Sequence, residues 1–230
     1  MYGGSGGFAF PGVLVGAQDS AKMRLVRKVY GLLLAALGVS VVTGGITYET
    51  ADLLMLSLTN GRWLWLLALG LLFASAWVRT SYSGSMAILF AFAALEGFLV
   101  APILFTYNRQ FPMIGMQAAL ITLGVFSGLT CYVFTTKKDF SYLGGMLWGA
   151  LLALIAVSFL AIFFPMSRNM GLVSSGFGAL VFAGYILYDT SNVIHRYEEN
   201  DAPQAALQLY VDVVNLFLMI LRLLGGSRRS

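Results

Sequence analysis

The sequence predicts an all-α polytopic membrane protein, a bundle of seven transmembrane helices. Three observations carry that prediction. Of 230 residues, 59% are hydrophobic and only 10% are charged. The mean hydropathy is +0.82. Apolar runs of the length a helix needs to cross roughly 30 Å of hydrocarbon recur along the chain. Fourteen basic and ten acidic side chains are too few to clothe a globule in water, which excludes a soluble enzyme. The net charge of +4 does not point to nucleic acid, because most basic residues stand singly between apolar runs instead of forming a stripe. One cysteine, Cys131, and one histidine, His195, leave no intramolecular disulfide, thiolate cluster or multi-histidine metal site. No cofactor and no enzymatic activity are expected.

Residues 1–28 are expected to be a short flexible basic tail, with Gly3, Gly4, Gly6 and Gly7 at its tip and Lys22, Arg24, Arg27 and Lys28 behind them. The transmembrane domain then occupies residues 29–225, and a short basic tail, residues 226–230, follows. Val29 to Tyr48 is free of charge, long enough to span and too long and too deep in the chain for the apolar core of a cleavable signal. Further spans are predicted at Trp63 to Val78, Tyr82 to Tyr107, Ile114 to Thr136, Phe140 to Pro165, Gly171 to Ile194 and Ala205 to Leu224. Pro112, Pro165, Pro203 and the Asn60-Gly61 pair read as turn formers between them. Several Trp and Tyr residues, Trp63, Trp77, Tyr82 and Tyr107 among them, fall near span ends, where amphipathic rings prefer the headgroup level. Gly124 with Gly128 and Gly145 with Gly149 have the small-xxx-small spacing, read here as general helix packing. No internal repeat is evident, so an inverted-repeat transporter is not supported.

Orientation follows from the basic residues of the short loops. With the N-terminus inside, the cytoplasmic side collects Lys22, Arg24, Arg27, Lys28, Arg79, Lys137, Lys138 and Arg196. The other side collects Arg62, Arg109, Arg168, Arg228 and Arg229. That imbalance predicts N-in, C-out.

Four ionisable residues fall inside the spans: Glu96, Asp189, Asp212 and Arg222. Each costs about 2.5–3.5 kcal/mol on insertion scales when unpaired, so such residues face the bundle interior and are retained for a use, although an interior carboxyl that merely bonds two helices together is the plain alternative. Asp189 lies about 9 Å before the inner end of the sixth span and Asp212 about 10 Å past the inner end of the seventh. They are therefore level, on consecutive helices joined by a short connection. Two carboxyls that meet where the dielectric is low cannot both ionise cheaply, so they should share a proton and titrate as a pair. Arg79, at the inner end of the second span, lies near the same level and either pairs with the ionised form or snorkels to the interface. Arg222 can reach the headgroups, and His195 reads as a wet residue near a loop. Glu96 lies about 20 Å into its helix, near or beyond mid-membrane.

The sixth and seventh spans, GYILYDTSNVIHRY from Gly184 and ALQLYVDVVNLFLMILRLLG from Ala206, closely resemble the signature of the Bax inhibitor family, the transmembrane Bax inhibitor motif proteins. RKVYGLLLAAL from Arg27 and the ALEGFLVAPI segment around Glu96 add to the resemblance, which covers nearly all of the chain from Arg27 onward. The resemblance implies a seven-helix bundle whose last helix is central and wrapped by the other six. It implies a pH-sensitive passive calcium leak across a membrane, with calcium as the transported ion. Asp189 and Asp212 then match the family's paired aspartates, Arg79 the arginine that latches to the first of them, and Glu96 the acidic residue of the third helix. Calcium would pass at Asp189 and Asp212, with Glu96 on the same path and no firm resident metal. Besides the lipid bilayer, a membrane protease or another membrane protein is an expected partner. The compact chain reads as a bacterial-type member of the cytoplasmic (inner) membrane, with endoplasmic reticulum or Golgi as the alternative.

Other classes compete. A regulator that binds another membrane protein and transports nothing is the principal alternative. An intramembrane aspartyl protease would also use two aspartates on consecutive helices, and Tyr188-Asp189 resembles half of its motif, but Tyr210-Val211-Asp212 stands where G-x-G-D is required. A rhomboid-type dyad of Ser175 with His195 is excluded by about 30 Å of shared helix, and a retinal protein by the lack of a lysine in the seventh span.

Overall fold

A computed structural model describes residues 11–77, 81–164 and 167–228. Among the described residues the chain forms seven α-helices: α1 Pro11–Glu49, α2 Ala51–Trp77, α3 Tyr82–Gln110, α4 Ile114–Thr136, α5 Gly144–Phe163, α6 Arg168–His195 and α7 Ala202–Ser227. Short 3-10 turns at Ser141–Leu143 and Glu199–Asp201 lead into α5 and α7. Six segments are long and apolar enough to cross a membrane: Ser20–Glu49 of α1, α3, α4, Ser141–Ala161, α6 and Glu199–Ser227. The helix α2, expected as the second span, is not among them.

Two boundaries differ from expectation. Residues 11–28 are not a tail but the first turns of α1. Leu25, Val29, Leu33 and Ala36 follow one another at helical spacing and are all essentially buried, so the core-facing stripe begins before the charge-free run does. The basic residues that suggested a loop ride the opposite face. Likewise α2 starts at Ala51, well before Trp63, and Asn60-Gly61 lies inside it. The Asn60 amide donates to the Leu56 carbonyl one turn back (3.1 Å), and Leu54 and Ser57 are buried, so tertiary packing overrides a turn-forming dipeptide. Pro203 sits in the first turn of α7, where its missing N–H is not needed. Elsewhere local chemistry agrees with the helix ends. Ser81 and Ser167 cap α3 and α6 by accepting from Gly84 and Met170 N–H (each 3.3 Å), and left-handed Met113 and Lys137 bracket α4.

The packing explains how the helices run. Ser40 meets Ala93 and Tyr48 meets Phe105, so α1 and α3 ascend together and α2 must descend between them. α6 and α7 are antiparallel, since Tyr197 bonds to Gln208 at one end and Arg168 donates to the Gly226 carbonyl at the other (2.8 Å). Two apolar cores share α7: its first half, with Leu209 and Tyr210, packs with α1 and α3, and its second half, with Leu216 and Leu221, packs with α4 and α6. The last helix is thus central, but its partners are chiefly α1, α3, α4 and α6; α2 packs on α3 and α5 on α6. Large apolar side chains point outward, Val41 and Leu180 each being 74% exposed, as a hydrocarbon solvent permits.

A close backbone-to-backbone crossing of α1 and α3 lies at Gly97. A Cβ there would stand 2.9 Å from the Ser40 Cα and closer still to the Ser40 carbonyl and the Thr43 hydroxyl. Gly124, Gly128, Gly145 and Gly149 have no neighbouring atom within 4 Å of such a Cβ, so the spacing that suggested packing marks outward surface. Gly97→Val should therefore lower thermal stability in detergent by about 1–3 kcal/mol through overpacking. Gly124→Ala should be neutral or stabilising by up to about 1 kcal/mol. Equal melting temperatures for Gly97→Val and the native protein would remove the crossing from the account.

Candidate functional site

The α6–α7 hairpin brings Asp189 and Asp212 together. Both are buried, 6% and 5% exposed, and their carboxyls face each other within hydrogen-bonding reach. Two carboxyls can bond to each other only when one carries a proton. Asn192, one turn after Asp189, donates its amide to Asp189 Oδ1 (3.4 Å), while Asp212 Oδ2 is buried with no hydrogen-bond partner. Tyr185, one turn before Asp189, stands beside both carboxyls. Among the described residues no cation forms an ion pair with either aspartate; the ion pairs present are those of Arg24 and Lys28 with Glu199. Arg79, the expected latch, lies outside the described residues.

More buried polar atoms surround the pair than a structural bond requires. Asn192 Oδ1 and Thr190 Oγ1 have no hydrogen-bond partner. The Tyr30 hydroxyl of α1 faces Thr130 of α4 and Thr190 of α6 without closing a bond to either. Unsatisfied polar atoms cost about 1–3 kcal/mol each, so a cluster of them marks a place where water, a proton or a passing ion makes up the difference. Calcium takes six to eight oxygen ligands. Among the described residues no third acidic, cysteine or histidine side chain joins the two aspartates.

The end of the bundle near the pair is firmly tied. Ser191, fully buried, accepts from the Phe140 N–H (2.9 Å) and so fastens the α4–α5 connection to α6. Lys22 donates to the Tyr197 carbonyl (3.1 Å), and Lys28 and Arg24 reach Glu199, clasping the start of α1 to the α6–α7 connection. Asp139 in the α4–α5 connection accepts from the Ser141 N–H (2.9 Å), and that bond holds its exposed carboxyl below the usual carboxylate range. It remains ionised as pH falls toward mildly acidic values, so it does not answer to the same protons as the buried pair.

Glu96 is not part of that pair. It lies midway along α3, 6% exposed, with Oε2 lacking a hydrogen-bond partner, and it lines a cavity of about 580 Å³ between α1 and α4 whose floor is α3 and α7. Beside it Ser40 Oγ donates to the Ala93 carbonyl (2.9 Å) and accepts from the fully buried Tyr210 hydroxyl (2.6 Å). His195 and Arg222 are exposed, and His195 Nδ1 lies 3.0 Å from the Ser191 carbonyl oxygen one turn back. The sequence reading overlooked Tyr210, Asn192, Ser191 and the Tyr30–Thr130–Thr190 junction. Asn192 was findable, because it stands three residues from an intramembrane aspartate on the same helix face; Tyr210, two residues from Asp212, and the threonines carry no such mark.

The chain is similar to known proteins over nearly all of its length. The family described as inhibitor of apoptosis-promoting Bax1 matches residues 22–229. Bax inhibitor 1 of Schizosaccharomyces pombe is 38% identical over 209 residues, 90% of this chain and 77% of that protein. Protein lifeguard 4 of Mus musculus is 32% identical over 97% of this chain and 93% of its own length. The Golgi anti-apoptotic protein of vaccinia virus (strain Lister) is 34% identical over 97% of this chain and 94% of its own.

If the pair is kept for use and not for stability, Asp212→Asn should stabilise the protein at alkaline pH by about 1 kcal/mol, because the new amide donates to Asp189 where a shared proton was needed. A lower melting temperature for Asp212→Asn at alkaline pH would instead make the pair a structural bond.

Proposed function

The chain belongs to the Bax inhibitor family, and from that membership we propose that it is a pH-sensitive passive leak for calcium, gated by the protonation of Asp189 and Asp212. The observation that carries the proposal is the buried, mutually facing aspartate pair with an unsatisfied oxygen on Asp212. Such a pair is costly to keep inside a membrane and changes its charge with pH. All seven helices cross the bilayer in this reading. The parallel course of α1 and α3 supports a return of α2 across it, and in the same reading the basic end near Lys22, Lys137, Lys138 and Arg196 faces the cytoplasm.

In the closed state the ionised pair holds Arg79 by a charge-assisted hydrogen bond across the inner mouth. Arg79 enters on its sequence position alone. Cytoplasmic acidification adds a proton to the pair, the arginine loses its partner, and the closed form loses its advantage. Each pH unit of difference in proton affinity between closed and open forms biases the population about tenfold, or ~1.4 kcal/mol. Glu96 serves as a cation station between the pair and the outer side. The cavity that it lines reaches from Tyr30, which faces Thr190, to Tyr48 near the far end of α1.

A second reading is a regulator that binds another membrane protein, a membrane protease being one candidate, and carries no ions. The names of the relatives, inhibitor and anti-apoptotic protein, favour it. The membrane also has two readings: the bacterial cytoplasmic membrane expected from the sequence, and an endoplasmic reticulum or Golgi membrane, favoured by the relative named for the Golgi. Cell fractionation separates them, and reporters fused to the two ends should fall on opposite sides.

Calcium flux into liposomes holding only this protein should rise as pH falls through about 8 to 5. Asp189→Asn and Arg79→Ala should leak at neutral pH, and Asp212→Asn should flatten the pH response. Glu96→Gln should lower the flux about tenfold without moving the pH midpoint. A regulator would give no flux at any pH, and a native pH profile in Asp189→Asn would end the gating proposal.

A further inference from the structure

The cavity between α1 and α4 is apolar along most of its lining. Leu33, Leu37, Val41, Leu104, Leu123 and Phe217 line it, and polar lining is scarce apart from Glu96 and its hydroxyl neighbours Ser40 and Tyr210. It follows α1 from Tyr30 to Tyr48, about 27 Å of helix, as a trough that the two helices leave open along the side: Val41 on one lip is 74% exposed and Leu123 on the other 59%. Its volume, about 580 Å³, lies within the range of roughly 300–1,000 Å³ that holds small ligands. Its shape and lining suit an alkyl chain entering from the bilayer.

One group in it demands a particular head. Glu96 is buried, with 6% exposure, its Oε2 lacks any hydrogen-bond partner, and among the described residues no cation pairs with it. Tyr210 and Ser40 beside it are engaged with each other and with the Ala93 carbonyl. A carboxyl in an apolar trough is complemented by a cation that brings its own apolar body, because pairing offsets desolvation for both partners. We propose that the trough is a binding site for a single-chain lipophilic amine, with its ammonium head on Glu96 and its tail lying outward between α1 and α4 past Val41 and Ala119 toward Tyr48. The outward direction follows from the lining. Most of the lining lies on that side of Glu96, from Val41 to Tyr48 on α1 and from Gly115 to Leu123 on α4, and Gly45 there has open space around it. The site does not rest on the calcium leak, since an amine can bind whether or not ions pass.

The test uses the full chain in phosphatidylcholine nanodiscs and an octadecylamine that carries a photoreactive diazirine in its tail, with labelled residues mapped by mass spectrometry. Labelling should concentrate on the α1 and α4 residues lining the outer half of the trough, Val41, Tyr48, Ala119 and Leu123. Unlabelled octadecylamine should compete, and octadecanol of the same length should not. Glu96→Gln should reduce labelling about tenfold, the loss expected when a charged hydrogen bond is removed. A fall in labelling through misfolding of Glu96→Gln is distinguished by a second arm, Ala119→Phe: position 119 is exposed, so the fold tolerates the ring while the ring blocks the tail. Labelling that survives either substitution, that spreads evenly over the lipid-facing surface, or that octadecanol displaces as well as the amine does overturns the proposal. Calcium flux is not a readout, so a failed leak and a failed amine site give different results.

Discussion

Two carboxyls held face to face inside a membrane are the constraint around which the rest of this protein is arranged. Hydrocarbon strongly disfavours an unpaired ion, and a shared proton is the least costly way to keep two acids in contact. Keeping them in contact demands rigid neighbours. The tight α6–α7 hairpin, the buried Ser191 bond to the α4–α5 connection and the clasp from α1 to Glu199 all lie at the end of the bundle where the pair sits. Several bonds between elements thus gather at the end of the bundle that holds the pair.

The second organising feature is α7. It carries Asp212 and fills both apolar cores, Tyr210 with the α1–α3 side and Leu216 with the α4–α6 side. A helix packed on both sides cannot tilt without disturbing both cores, since packed interiors switch between arrangements rather than deform smoothly. Tyr210, two residues before Asp212 on this helix, is bonded to Ser40 of α1, and both line the cavity with Glu96.

Much of this was legible in the sequence, and what was not has physical causes. The α4 limits, Ile114 and Thr136, are those expected, because an apolar run bounded by Pro112 and Lys137-Lys138 has only one way to be read. The level of Asp189 with Asp212 follows from counting turns on two antiparallel helices. The start of α1 was missed because Lys22, Arg24, Arg27 and Lys28 hide a buried stripe through Leu25 and Val29, and the start of α2 because Asn60-Gly61 is a turn signal only where no packing opposes it. Small-residue spacing misled at Gly124 and Gly128, since spacing alone does not say which face is turned inward; the same spacing in Ala93, Gly97 and Ala101 of α3 and in Ser40 and Gly44 of α1 does mark a close crossing. Within the site, charges were legible because a membrane makes each one an anomaly. Hydroxyls such as Tyr30 and Thr190 were not, because apolar helices carry them freely.

The measurement that bears most directly on the shared proton is a carbon-13 titration of the aspartate carboxyls in nanodiscs, with Asp189 and Asp212 assigned by their single asparagine variants. The account predicts that the two resonances move together in two steps, each reporting both protonation events, and that replacing either residue leaves the other with a single step at a different pH. Two independent single-step curves, each unchanged by loss of the other residue, would contradict it.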